Sequence, residues 1–109
     1  MNDDQALVIL AALAHPTRLK AFRQLVRYEP DGLSTGALVD MSGLTQSTFS
    51  SHLAVLAKAG LVTAEKRGRL QIQRAGIDTL RELMTYLAKD CCGGRAELCE
   101  PLLAALTCC

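Results

Sequence analysis

A chain of 109 residues, half of them apolar, 21% charged and without Trp, makes one small globular domain. Its net charge of +1 neither points to nucleic acid nor excludes it. Five cysteines, Cys91, Cys92, Cys99, Cys108 and Cys109, all fall in the last 19 residues, where a disulfide scaffold would spread them through the chain.

Residues 4–14 are rich in helix formers and almost wholly apolar, which predicts a helix buried on most sides. Pro16 at a first helical position, with Leu19, Phe22 and Leu25/Val26 at helical spacing, predicts a second helix to about Tyr28 with Arg18, Arg23 and Arg27 outside. Glu29-Pro30-Asp31-Gly32 reads as a turn. Ser34 is a candidate N-cap for a short helix carrying Leu38, Val39 and Met41, broken by Ser42-Gly43.

Thr45 then caps a helix over 45–59 in which Phe49, Leu53 and Leu56 face inward while Gln46, Ser47, Ser50 and Ser51 point away, and Gly60 stops it. Two alternating runs, 61–66 and 69–74, flank Arg67-Gly68 and predict a hairpin with a basic tip. Ile77, Leu80, Leu83/Met84 and Leu87 mark another amphipathic helix, about 77–90, and a last short helix fits near 97–106. The expected division is a domain over 1–90 and a Cys-rich segment over 91–109.

Charge is uneven along this order. Lys58, Lys66, Arg67, Arg69 and Arg74 against Glu65 give residues 58–74 a local +4, whereas residues from 75 onward carry −2. The acidic start Asn2-Asp3-Asp4 lacks the basic opening of a secretory leader, and no apolar run reaches the roughly 18 residues of a membrane span. A cytoplasmic protein without membrane contact is expected, and in that reducing setting clustered thiols read as metal ligands or redox groups. Neither paired acids, a Ser-His-Asp set nor a phosphate-cradling Gly-rich loop is present, so no enzyme is expected.

Helix, short turn, helix and basic hairpin is the winged helix-turn-helix order, a mainly α fold with a small β-hairpin. The runs Ala14-His15-Pro16-Thr17-Arg18-Leu19, Leu44-Thr45-Gln46-Ser47-Thr48-Phe49-Ser50-Ser51-His52-Leu53 and Leu56-Ala57-Lys58-Ala59-Gly60-Leu61-Val62, followed by Arg67-Gly68-Arg69, resemble the ArsR/SmtB family of metal-responsive repressors over about residues 6–90. The resemblance implies a homodimer joined through the first and last long helices, bound to double-stranded operator DNA with an inverted repeat. Physical reasoning agrees, because the apolar stretch Leu7 to Ala14 has too little of its own domain to bury every face.

DNA contact is assigned to Gln46, Ser47, Thr48, Ser50 and Ser51, which can lie against base edges, and to Lys66, Arg67 and Arg69, which would neutralise phosphates. His52 is given a packing or phosphate-contacting role rather than a metal role, since its only imidazole companion, His15, lies in another helix.

Two metal sites of the family do not carry over. Ser34 and Gly36 stand where the arsenic-responsive founding type has Cys-x-Cys, and residues 77–90 lack the His of the zinc-sensing type. What remains is Cys91-Cys92-Gly93-Gly94-Arg95-Ala96-Glu97-Leu98-Cys99, which resembles arsenic-responsive members whose cysteines follow the dimerisation helix. Three thiolates suit trivalent arsenic or antimony, whereas zinc usually takes a fourth ligand, and Gly93-Gly94 would let Cys99 fold back onto the pair.

The expectation is therefore an operator-binding repressor with no permanent cofactor. As(III) or Sb(III) would bind Cys91, Cys92 and Cys99 as inducer, with Cys108 and Cys109 as accessory candidates, and would derepress arsenic-resistance genes. Two alternatives stand beside it: a thiol-redox switch on the same fold, with Cys99 or the terminal pair as resolving thiol, and a thiol metal carrier or interaction module that does not bind DNA.

Overall fold

A computed structural model describes residues 1–88; the cysteines, the last turn of the 77–90 helix and the helix expected near 97–106 lie outside these residues. Within the described residues five helices and three strands follow in the order α1 (Asp3–Leu13), α2 (Pro16–Arg27), β1 (Leu33–Ser34), α3 (Thr35–Ser42), α4 (Gln46–Lys58), β2 (Val62–Arg67), β3 (Leu70–Ala75) and α5 (Ile77–Ala88). The strands form one antiparallel sheet in the order β1-β3-β2.

Local chemistry sets these boundaries. At α1 the Asn2 side chain accepts the Gln5 N–H while Gln5 Oε1 accepts the Asn2 N–H, both at 2.9 Å, a reciprocal cap that satisfies two otherwise unpaired donors. Pro16 opens α2 at its first position, and His15 caps it by accepting the Thr17 N–H on Nδ1 at 3.1 Å. Ser34 and Thr45 cap α3 and α4 as expected, their hydroxyls accepting the N–H groups of Ala37 at 3.1 Å and Thr48 at 3.2 Å. Gly43 ends α3 at φ 71°, a left-handed conformation that a side chain would resist.

The core runs through every helix. Ala6, Ile9 and Ala12 of α1 meet Ala21, Phe22 and Leu25 of α2, Leu38 of α3, Phe49 and Leu56 of α4, and Leu83 of α5, closed by Leu61, Val62 and Ala75. Glu29 and Arg74 tie the turn after α2 to β3 by a two-point contact, Nη2 to Oε2 at 2.8 Å and Nε to Oε1 at 3.3 Å. The Arg74 bond holds the Glu29 carboxyl below its ordinary value.

Several expectations are corrected. The hairpin turn is Gly68-Arg69 rather than Arg67-Gly68, because Arg67 pairs with Leu70 as the last rung of the ladder. A third strand, β1, pairs Leu33 with Gln73 and Ser34 with Ile72. It covers β3 and buries Gln73, whose Nε2 donates to Thr35 Oγ1 at 3.0 Å. Helix α1 buries only one face: Leu7 is 61% exposed, Leu10 40% and, on α5, Leu87 57%. Arg18 is half-buried and bonded rather than outside, whereas Leu53 faces inward as expected, half-buried against the core.

Candidate nucleic-acid interface

Helices α3 and α4 are separated by Gly43, Leu44 and Thr45, the short connection of a helix-turn-helix, so α4 is the helix free to enter a groove. Phe49 and Leu56 anchor its inner side, fully buried, and set which residues face out. Gln46, Ser47, Thr48, Ser50 and Ser51 are all exposed.

These side chains differ in how free they are. The Ser51 hydroxyl donates back to the Ser47 carbonyl at 3.3 Å, and the Thr48 hydroxyl accepts from the capping Thr45 hydroxyl at 2.9 Å. The Gln46 and Ser50 side chains have no bond among the described residues, which leaves their polar groups available to base edges or phosphates.

The wing is built by β2 and β3, with Lys66, Arg67 and Arg69 exposed at its tip. Arg67 is engaged within the chain. It pairs with the Glu65 carboxylate and donates to the Asp31 carbonyl at 3.0 Å, so part of its charge is already answered. Lys66 and Arg69 enter no ion pair among the described residues, so their charge is free to neutralise phosphate. If they do, Lys66→Ala/Arg69→Ala should weaken binding to any duplex by a similar factor. The slope of log affinity against log salt should fall by about 0.9 for each phosphate that is no longer neutralised, as read by fluorescence anisotropy across a salt series.

His52 lies half-buried on the side of α4 that meets α2, its ring centroid 4.3 Å from that of His15 and its Nδ1 3.2 Å from Arg18 Nη1. Burial, followed by the charges of His15 and Arg18, pushes the imidazole below its ordinary value. Sequence reasoning did not foresee this arrangement; the available signal was Pro16, four residues after Ala12, which leaves the Ala12 carbonyl without a helical donor.

Among the described residues no group of three or more His, Cys, Asp or Glu is placed to hold a metal ion, and no helix is long and apolar enough to cross a membrane. At the position of the absent Cys-x-Cys site, the Ser34 hydroxyl is committed to capping α3.

A family model described as a helix-turn-helix domain matches residues 13–65, from the end of α1 into β2. The structure of HlyU from Vibrio cholerae is 32% identical, covers 80% of this chain and 97% of that one, and superposes with a TM-score of 0.62. A structure described as a possible transcriptional regulator for arsenical resistance is 33% identical over 72% of this chain and 82% of that one, with a TM-score of 0.58. The homodimeric winged helix-turn-helix domain of Mb0332 from Mycobacterium bovis, a possible ArsR-family regulator, is 25% identical over 83% of this chain and 89% of that one, with a TM-score of 0.64. HlyU is described as a transcriptional activator and the other two as possible transcriptional regulators, none of them as an enzyme. The chain belongs to the ArsR family of winged helix-turn-helix transcriptional regulators.

Proposed function

We propose that the chain is a homodimeric repressor that holds an inverted-repeat operator in its metal-free state and releases it when As(III) or Sb(III) binds Cys91, Cys92 and Cys99. The observation that carries this reading is a position in the sequence. In the sequence only Lys89 and Asp90 separate Ala88 of α5 from Cys91-Cys92, on a chain whose α1 leaves Leu7, Val8 and Leu10 exposed for a second copy. The related structure described as a possible regulator for arsenical resistance supports the choice of ion.

Pairing and sensing are then one problem. Two copies joined through the exposed face of α1 and through α5 would place two α4 helices on successive turns of the major groove. Three thiols condense with arsenous acid to give three S–As bonds and three waters, with no change of oxidation state. Drawing these sulfurs together beside the dimer helix alters how the two copies sit, and so the spacing of the two α4 helices. The coupling is reciprocal, so bound operator weakens ion binding by the same factor.

The test is a titration of the protein–operator complex. Micromolar arsenite is expected to release a duplex that the protein enriches from a random pool, and a complex left intact would overturn the proposal. Release by peroxide with no response to arsenite would instead establish the thiol-redox alternative. Failure to bind any duplex in a salt-dependent way would favour the carrier or interaction module.

A further inference from the structure

Arg18 joins three helices. Its Nε donates to the Ala12 carbonyl at 2.6 Å and its Nη2 to the Ala11 carbonyl at 3.4 Å, both at the C-terminal end of α1. The Ala12 carbonyl needs this donor, because four residues on stands Pro16, which has no N–H to offer. The negative end of the α1 dipole also favours a cation there. From this seat Nη1 reaches His52 Nδ1 at 3.2 Å, in the middle of α4. A guanidinium can only donate, so His52 Nδ1 is the acceptor and the imidazole proton sits on Nε2.

We propose that Arg18 is the positioning residue of the recognition helix: acting through neutral His52 it ties α4 to the end of α1, and a proton on His52 Nδ1 undoes the tie. This rests on α4 being the DNA-reading helix.

The charges around the bond make it one-sided. From α2, His15 stacks on His52 at 4.3 Å between centroids and 36° between planes, its own Nδ1 occupied by the Thr17 N–H. From α1 come only carbonyls, since Asp3 and Asp4 sit in its first turn at the far end. The other elements packed on α4 bring Asp40 from α3 and Glu65, Lys66 and Arg67 from β2, with Glu65 taken by Arg67. The charges that act on His52 are those of His15 and Arg18, and Arg18 enters no ion pair among the described residues. A protonated His52 would therefore point a donor at a donor, with no anion to hold the two cations together. Burial, followed by the influence of neighbouring His15 and Arg18, holds His52 below its ordinary value of 6.5, so the unfolded chain takes the proton more readily. The tie is complete above that value and is lost as pH falls through the lower value of the folded protein.

The test compares the wild type, His52→Gln and Arg18→Lys at pH 8 and pH 5.5 in two measurements. The first is amide exchange of α4 in the free protein, corrected for intrinsic rate. The second is affinity for the duplex that the wild type enriches from a random pool, beside a scrambled duplex. On acidification the wild type should show faster α4 exchange and lose about tenfold in affinity for the enriched duplex alone, the scale of one charge-assisted hydrogen bond. Gln keeps an acceptor for Arg18 and takes no proton, so His52→Gln should hold its affinity and exchange at both pH values. Lys lacks the forked donors that reach both helices, so Arg18→Lys should already show at pH 8 the faster exchange and weaker binding toward which the wild type moves on acidification.

Wild-type affinity that rises on acidification with a steeper salt slope would make His52 a phosphate contact and overturn the proposal. So would a His52→Gln pH profile identical to that of the wild type, a result that stands even if Arg18→Lys fails to fold. The exchange measurement needs no DNA, so failure to enrich a duplex would count against the operator reading while this arm still decides the tie.

Discussion

Leu7→Glu/Leu10→Glu is expected to leave each chain folded and to abolish pairing. The two leucines share the outer face of α1, three residues apart, while the side that enters the core is Ala6, Ile9 and Ala12. With Leu7 61% and Leu10 40% exposed in the single chain, a carboxylate at either position stays in water. In a pair the same positions would be covered, and each protomer would lose the burial of two Leu side chains, about 1.5–3 kcal/mol apiece, and bury charge instead. The dimer dissociation constant should rise by at least about 100-fold, and operator affinity should fall with it, because the second α4 is no longer held at high effective concentration beside its half-site. Sedimentation equilibrium with circular dichroism reads both halves of this outcome. A variant that stays dimeric would place the interface elsewhere.

Gly76→Ala is expected to be the most damaging single-methyl change among the described glycines. A Cβ at Gly76 would run into the Gly60 carbonyl oxygen and lie 3.1 Å from the carbonyl carbons of Gly60 and Leu61. These are backbone atoms at the junction where α4 passes into β2, and the Gly76 N–H donates to the Leu61 carbonyl there at 2.7 Å. No rotamer change can make room, so the packing of the end of β3 on the end of α4 must open. A loss of roughly 2–4 kcal/mol follows, enough to lower Tm by on the order of 10 °C. Gly36→Ala is the control. Nothing lies within 4 Å of its Cβ and it sits in α3, so Ala there should be neutral or stabilising by up to about 1 kcal/mol. Equal unfolding temperatures for the two variants would contradict this account of the junction.

Signals that act over a few residues were legible in the sequence. Ser34 and Thr45 announced their helices because a hydroxyl before an apolar run can satisfy a first-turn N–H, and the spacing of Phe49 and Leu56 gave the exposed face of α4 directly. The wing followed from alternation around a glycine, although one rung further along than the pattern suggested. What escaped depends on partners distant in the chain. Strand β1 is two residues long and exists only through its pairing with β3, and that pairing buries Gln73, which alternation alone would treat as a surface residue. Arg18 looked like one of three outward bases on α2. Its role emerges only when the end of α1 and the middle of α4 meet around it. The apolar outer face of α1 was visible in composition, but a single chain does not cover it.

In the proposed function a thiophilic ion on the cysteines that follow α5 in the sequence controls DNA binding at α4 and the wing. The most direct measurement follows ion stoichiometry and operator release together, for the wild type and for each single Cys→Ser variant. One As(III) per protomer is expected, with release abolished in Cys91→Ser, Cys92→Ser and Cys99→Ser but kept in Cys108→Ser and Cys109→Ser. Normal arsenite release from the Cys91→Ser or Cys92→Ser protein would rule out control by these sulfurs.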